Sequence, residues 1–233
     1  MKRKENYKLC ASVSSLILFA LWTFLVRVVD LHKIGQSNTA VGFATFNGMV
    51  HDFLGVNIIL YNLTDILSVI PIGVAAGFAI LGLCQLIRRR SIGKVDTSIL
   101  LLGGFYILVI GVFLFFEIVV INYRPVLIEG KLEASYPSST TLLVTCIMST
   151  ALMQLLWRIK SKTVKIILSV AIISFTVFMV VARIISGVHW ASDIIGGLLI
   201  STALVFLYSW AVESFDRNFR KSIDREVKKN YNK

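Results

Sequence analysis

The chain has 233 residues, 56% of them hydrophobic and only 16% charged, a composition that excludes an ordinary soluble domain. Its formal charge is +11, from 24 basic and 13 acidic residues. The basic residues cluster in short segments beside apolar runs, the positive-inside pattern, which removes nucleic acid as the reason for the excess.

Met1-Lys2-Arg3-Lys4 lead into an apolar run from about Leu9 to Val29. That run exceeds the roughly 7–15 apolar residues of a signal peptide and meets Arg27, Asp30, His32 and Lys33 without a small-residue cleavage site, so it reads as an uncleaved first spanning helix. Between Ile34 and Leu60, Phe43, Phe46, Val50, Phe53 and Leu54 recur at helical spacing, with Thr45, Asn47, His51 and Asp52 on other faces. The segment is too short and polar to span. It predicts an interfacial amphipathic helix over 39–54, capped by Asn38 or Thr39, serving as a lid, a lipid-entry ramp or a plain covering loop.

Five further runs have the roughly 20 residues needed to cross about 30 Å of hydrocarbon. They cover about Leu63–Ile87, Ser98–Ile121, Ser138–Trp157, Ile166–Ile185 and Ser192–Ala211. Basic residues follow the second (Arg88, Arg89, Arg90, Lys94), the fourth (Arg158, Lys160, Lys162, Lys165) and the sixth (Arg217, Arg220, Lys221, Arg225, Lys228, Lys229). The expected architecture is therefore an all-α membrane protein: one six-helix domain over 1–213, a basic cytoplasmic tail over 214–233, and both termini inside. The loops at 122–137 and 186–191 then share the outer face. Cys10, Cys84 and Cys146 are odd in number and scattered in or beside apolar runs, which fits neither a disulfide framework nor a zinc site and predicts packing residues.

The unusual polar residues all fall in or beside those outer loops. Arg183, His189 and Asp193 lie between two apolar runs, where a charge costs roughly 2.5–3.5 kcal/mol on insertion scales and commonly marks a site. His189 and Asp193 are spaced to share one helix face, where a carboxylate takes the Nδ1 proton and leaves Nε2 free as base or nucleophile. Arg183 precedes a Ser-Gly break, and its planar fork suits phosphate oxygens. Taken alone, the three read equally as interface residues with a snorkelling arginine. Asn122-Tyr123-Arg124-Pro125 closes the third run, and Pro125 disfavours helix at Arg124. Tyr136-Pro137-Ser138-Ser139-Thr140-Thr141 opens the fourth, as an anion-binding helix start or as ordinary capping.

Together these segments resemble the type-2 phosphatidic acid phosphatase superfamily, the lipid phosphate phosphatases, whose signature is K-x6-R-P, then P-S-G-H, then S-R-x5-H-x3-D. Arg124-Pro125 matches the first motif, Pro137-Ser138 the second, and Arg183, His189 and Asp193 the third. The resemblance implies a metal-independent reaction with no cofactor. His189 would attack phosphorus to give a phosphohistidine, Asp193 would support the imidazole, and water would release phosphate. Arg124, Arg183, the Ser138 hydroxyl and the Ser139 N–H would hold the phosphoryl oxygens.

Four positions depart from the signature: Glu117 replaces the lysine, Ser139 the glycine, Thr140 the second-motif histidine and Ala182 the serine. Glu117 is expected to pair with Arg124 or Arg183 and orient it, and Lys131 to supply the missing cation. Thr140 replaces the family's general acid, a group worth roughly 10²–10⁴-fold. The leading expectation is a lipid phosphatase at the outer face of a plasma membrane of bacterial type. A polyprenyl diphosphate is favoured over a lipid monophosphate because its leaving group departs without a proton. Otherwise Glu133 or His51 supplies the acid, or the chain is a lipid-binding or transport protein, or a phosphotransferase. The partners expected are the lipid substrate and membrane lipids, with no nucleic acid.

Overall fold

The computed structural model describes the backbone of residues 3–231 and the side chains of residues 7–215. It is all-helical. The helices are α1 (Arg3–Val28), α2 (Ala44–Leu54), α3 (Ile58–Leu67), α4 (Val69–Arg89), α5 (Thr97–Ile118), α6 (Ser139–Arg158), α7 (Lys162–Ile185) and α8 (Ala191–Tyr231). Among the described residues the extended backbone amounts to isolated bridges only. Among the described residues six segments are long and apolar enough to cross a membrane, with α3 and α4 together forming the second. The basic tail expected over 214–233 continues α8 to Tyr231, while its side chains beyond 215 lie outside the described residues.

α6 and α8 are the most buried spans, and α1, α5 and α7 pack around them. Phe19 and Val26 of α1 meet Phe105 and Val109 of α5, Leu142 and Cys146 of α6, and Leu204 of α8 in one apolar cluster. Dispersion and close packing hold this cluster, because lipid tails are as apolar as the side chains that leave them. Cys146 packs as expected, but Cys10 and Cys84 are exposed on α1 and α4, where an apolar thiol suits a lipid-facing surface.

The bundle has two different ends. At one, α4 and α5 are joined through Arg89, Gln85 and Asp96, with Arg89 Nη1 2.9 Å from the Asp96 carboxylate. Gln154, fully buried, donates to the Ser98 carbonyl from α6 there. At the other end, α5, α6, α7 and α8 present the loops that carry the unusual polar residues.

The segment between α1 and α2 corrects two expectations. The helix expected from residue 39 begins only at Ala44, and neither Asn38 nor Thr39 caps it. Gln36–Asn38 instead form a single 3₁₀ turn, and His32 pairs with Val41 across it. The cap comes from α1's side: the Thr45 N–H donates to Asp30 Oδ2 at 2.7 Å, a bond that holds the Asp30 carboxyl below its ordinary range. The second span also starts earlier than Leu63. Asn57 caps α3 by accepting the Leu60 N–H at 2.9 Å, which brings Tyr61, Thr64 and Asp65 into helix.

Candidate active site

The turn between α7 and α8 fixes the candidate nucleophile. Ser186 Oγ bonds back to the Arg183 carbonyl at 2.8 Å, and Gly187 adopts φ +66°. A Cβ at Gly187 would lie 2.0 Å from the Gly55 carbonyl oxygen, so this turn and the α2–α3 turn are in backbone contact. Asp193, in the first turn of α8, reaches back to the Trp190 N–H at 2.9 Å, which fixes the start of the helix in a capping-box manner.

His189 therefore lies before α8 rather than on it, and its relation to Asp193 differs from the shared helix face expected. Asp193 Oδ2 is 3.9 Å from His189 Nδ1, while Nδ1 lies 3.2 Å from the Ser135 carbonyl oxygen. That carbonyl only accepts, so Nδ1 carries the proton. Asp193, fully buried, is committed to Asn122 Nδ2 at 3.1 Å, to Ser135 Oγ and to the Trp190 N–H. It locks the 122–135 loop against α8 and thereby fixes the carbonyl that orients the imidazole.

His189 Nε2 faces Arg124 Nη1 at 3.2 Å. A guanidinium has donors and no acceptor, so Nε2 must present its lone pair. The two contacts select one neutral tautomer, with the unprotonated Nε2 turned to Arg124. Burial, with the Arg124 charge next in importance, pushes the imidazole down to about 4 and keeps it neutral at ordinary pH.

Arg124 does not end a helix, because α5 stops at Ile118. It sits on a short hairpin in which Tyr123 pairs with Ala134 and Ile128 with Lys131. Its backbone N–H donates to the Glu133 carbonyl at 3.1 Å, and its Nε lies 3.0 Å from Glu133 Oε2. Arg183, in the last turn of α7, is almost wholly buried. Nε and Nη2 both donate to Thr140 Oγ1, at 3.1 and 2.6 Å. Nη1 donates to Thr64 Oγ1 at 3.1 Å, and Nη2 lies 3.4 Å from Asp65 Oδ1. The Tyr61 ring lies near both guanidiniums, 4.7 Å from Arg183 and 5.9 Å from Arg124.

Ser138 caps α6. Its N–H donates to the Asp193 carbonyl at 3.0 Å, and its Oγ accepts from Thr141 Oγ1 at 3.1 Å. The N–H groups of Ser139 and Thr140 in the first turn have no intrahelical acceptor, which leaves them for an anion. Beside this helix start runs an apolar groove of about 430 Å³ between α4, α5 and α6. Its walls include Ile72, Ile110 and Val144, its rim Asp65, Ser68, Ser139 and Thr140. Ile72 and Ile110 are exposed, so one side of the groove belongs to the lipid-facing surface.

Arg124, Ser138, Ser139, Arg183, His189 and Asp193 thus come together around the ends of α6, α7 and α8. Two expected auxiliaries do not join them. Glu117 is exposed and has no ion pair with Arg124 or Arg183 among the described residues; it lines a small cavity with Ser135 and Ser139. Glu133 and Asp65 take the arginine-pairing role instead, because α3 and the hairpin bring them closer. Lys131 stands exposed at the hairpin tip, where its backbone pairs with Ile128 and its side chain has no partner among the described residues. Sequence reasoning passed over Tyr61, Thr64 and Asp65, although a carboxylate inside an apolar run was the available signal. It also missed Asn122 and Ser135 as the partners of Asp193.

Comparison with known proteins bears on the same segment. The PAP2 superfamily model matches residues 115–217, which include every motif position above. A similar solved structure is the first transmembrane PAP2 type phosphatidylglycerolphosphate phosphatase from Bacillus subtilis, with a TM-score of 0.59 and 16% sequence identity. The match covers 89% of this chain and 96% of that one, and at such identity the likeness is one of fold. No curated protein matches the sequence.

Proposed function

Over residues 115–217 this chain belongs to the PAP2 superfamily, as an integral-membrane member, and from that premise we propose that it is a lipid phosphatase working through a phosphohistidine. The observation that carries the reading is the neutral, buried His189, whose lone pair faces Arg124 at 3.2 Å beside an apolar groove. In the reaction Nε2 attacks phosphorus, the bond to the leaving oxygen breaks, and Nδ1–H stays on the Ser135 carbonyl. Arg124, the Ser138 hydroxyl and the free N–H groups of the α6 first turn hold the phosphoryl oxygens as charge develops. Water then cleaves the N–P bond. The groove takes the apolar tail.

The described basic segments, at 88–94 and 158–165, lie at the end of the bundle away from His189, which supports a site on the extracytoplasmic face of a bacterial plasma membrane, with 1–213 as the catalytic domain. Thr140 is bound as an acceptor by Arg183 and has no acidic proton to give. That favours a polyprenyl diphosphate, whose leaving phosphate needs none, over a monoester such as phosphatidylglycerolphosphate. One observation favours a binding protein instead: Arg183 is already satisfied by protein acceptors.

The test is purified protein with both lipid classes, with and without EDTA, beside His189→Ala, repeated in sealed vesicles of either orientation. Phosphate release should survive EDTA, fall at least about 10³-fold in the variant, favour the diphosphate, and require substrate on the extracytoplasmic side. Release that persists in His189→Ala contradicts the reading, and tight binding without release establishes the binding protein.

A further inference from the structure

The superfamily's leaving-group acid is absent at Thr140, yet the rim around Thr140 is not without acids. The leaving oxygen must depart opposite the attacking nitrogen, and in a lipid it is the atom that joins the phosphoryl group to the tail. With the tail in the groove, that oxygen crosses the rim formed by Asp65, Ser68, Ser139 and Thr140. Of these four only Asp65 has a side chain that can take up a proton and give it back, because the other three carry weakly acidic hydroxyls. Its Oδ1 and Thr140 Oγ1 are bound to the same nitrogen, Arg183 Nη2, at 3.4 and 2.6 Å, so the carboxyl reaches the neighbourhood of the vacant motif position from another helix. Asp65 is also the exposed member of the four, its side chain 62% exposed whereas Thr140 is buried.

The other two acids fit less well. Glu133 is held on the hairpin by Arg124 Nε and does not line the groove, and His51 packs on Trp190 with ring centroids 5.5 Å apart. The groups around Asp65 are Arg183 from α7, Ser139 and Thr140 from α6, and Ser68 at the start of α4.

Building on the phosphatase reading, we propose that Asp65 of α3 is the general acid for lipid monoesters, supplied from outside the segment that matches the superfamily. When the substrate's phosphoryl oxygens take over the Arg183 fork, the Asp65 carboxylate is released and takes the proton of the phosphomonoester monoanion. As the His189 Nε2–P bond forms and the P–O bond breaks, that proton passes from the carboxyl to the leaving oxygen, which yields a lipid alcohol and a carboxylate. In the second half the carboxylate takes a proton from the attacking water as the N–P bond breaks, hands it to the departing phosphate and returns to Arg183. The enzyme's range then extends from diphosphates to monoesters.

The experiment compares Asp65→Asn with the wild type on phosphatidylglycerolphosphate, which expels an alcohol, and on a polyprenyl diphosphate, which expels a phosphate. The expected result is a loss on the monoester of about 10²–10⁴-fold, at least about ten times the loss on the diphosphate, with partial recovery on the monoester in Asp65→Glu. Equal losses on both substrates would make Asp65 a positioning residue for Arg183 and overturn the proposal. So would an unaffected monoester rate, or a wild type that turns over the diphosphate alone. Activity surviving in His189→Ala would instead remove the phosphatase reading, a separate outcome.

Discussion

The imidazole of His189 is almost wholly buried and has no acidic partner closer than the 3.9 Å to Asp193, so burial governs its protonation. Its value in the folded protein, about 4, lies below the ordinary 6.5. The unfolded chain therefore binds this proton more readily than the folded one. The corresponding stability is fully present above about 6.5 and is lost as the pH falls through that value toward 4, a contribution on the order of 3 kcal/mol. The melting temperature in detergent should consequently fall more steeply between pH 7 and 4.5 for the wild type than for His189→Asn, which has no proton to take up. Parallel curves would contradict a buried neutral imidazole. The residues of this centre were legible in the sequence because a charged side chain between apolar runs is conspicuous. Their partners were not: Ser135 orients His189 through a backbone carbonyl, and no residue type announces a carbonyl.

At the scale of elements, the site depends on how two turns meet. The Asn57 N–H donates to the Ser186 carbonyl at 3.0 Å, and Gly187 lies against Gly55, so the start of α3 is fastened to the end of α7. This contact sets Tyr61, Thr64 and Asp65 under Arg183. Gly187→Ala should lower the melting temperature by several degrees, because it adds about 1–2 kcal/mol of left-handed strain to a backbone collision, and it should reduce phosphate release as Arg183 shifts. Gly130→Ala, at φ +75° with nothing within 4 Å of the added carbon, meets only the strain and should cost clearly less. Equal effects would show that the contact of the two turns is unimportant. The six spans were readable from hydropathy because each must satisfy its own backbone in lipid. The break at Ser68 that separates α3 from α4 was not, since apolar residues continue through it and the carboxylate of Asp65 was counted inside one long run.

The whole molecule separates its polar chemistry into two ends. One joins α4, α5 and α6 through Asp96, Arg89, Arg158 and Gln154, and the other gathers Arg124, Arg183, His189 and Asp193 around the start of α6. The apolar groove lies beside that second end, which is the arrangement a lipid with a phosphorylated head requires. Glu117 and Lys131 show the limit of reading along a chain. Each is near the motif in sequence, but three-dimensional placement assigns the arginine partners to Glu133 and Asp65. The mechanism turns on a covalent bond between His189 and phosphorus, which is detected directly by rapid quenching in alkali during turnover of a lipid substrate carrying radioactive phosphorus in the transferred phosphoryl group. Acid-labile label is expected on the peptide containing His189 and is expected to be absent from His189→Ala. Steady phosphate release with no label on that peptide, or label on another residue, would contradict it.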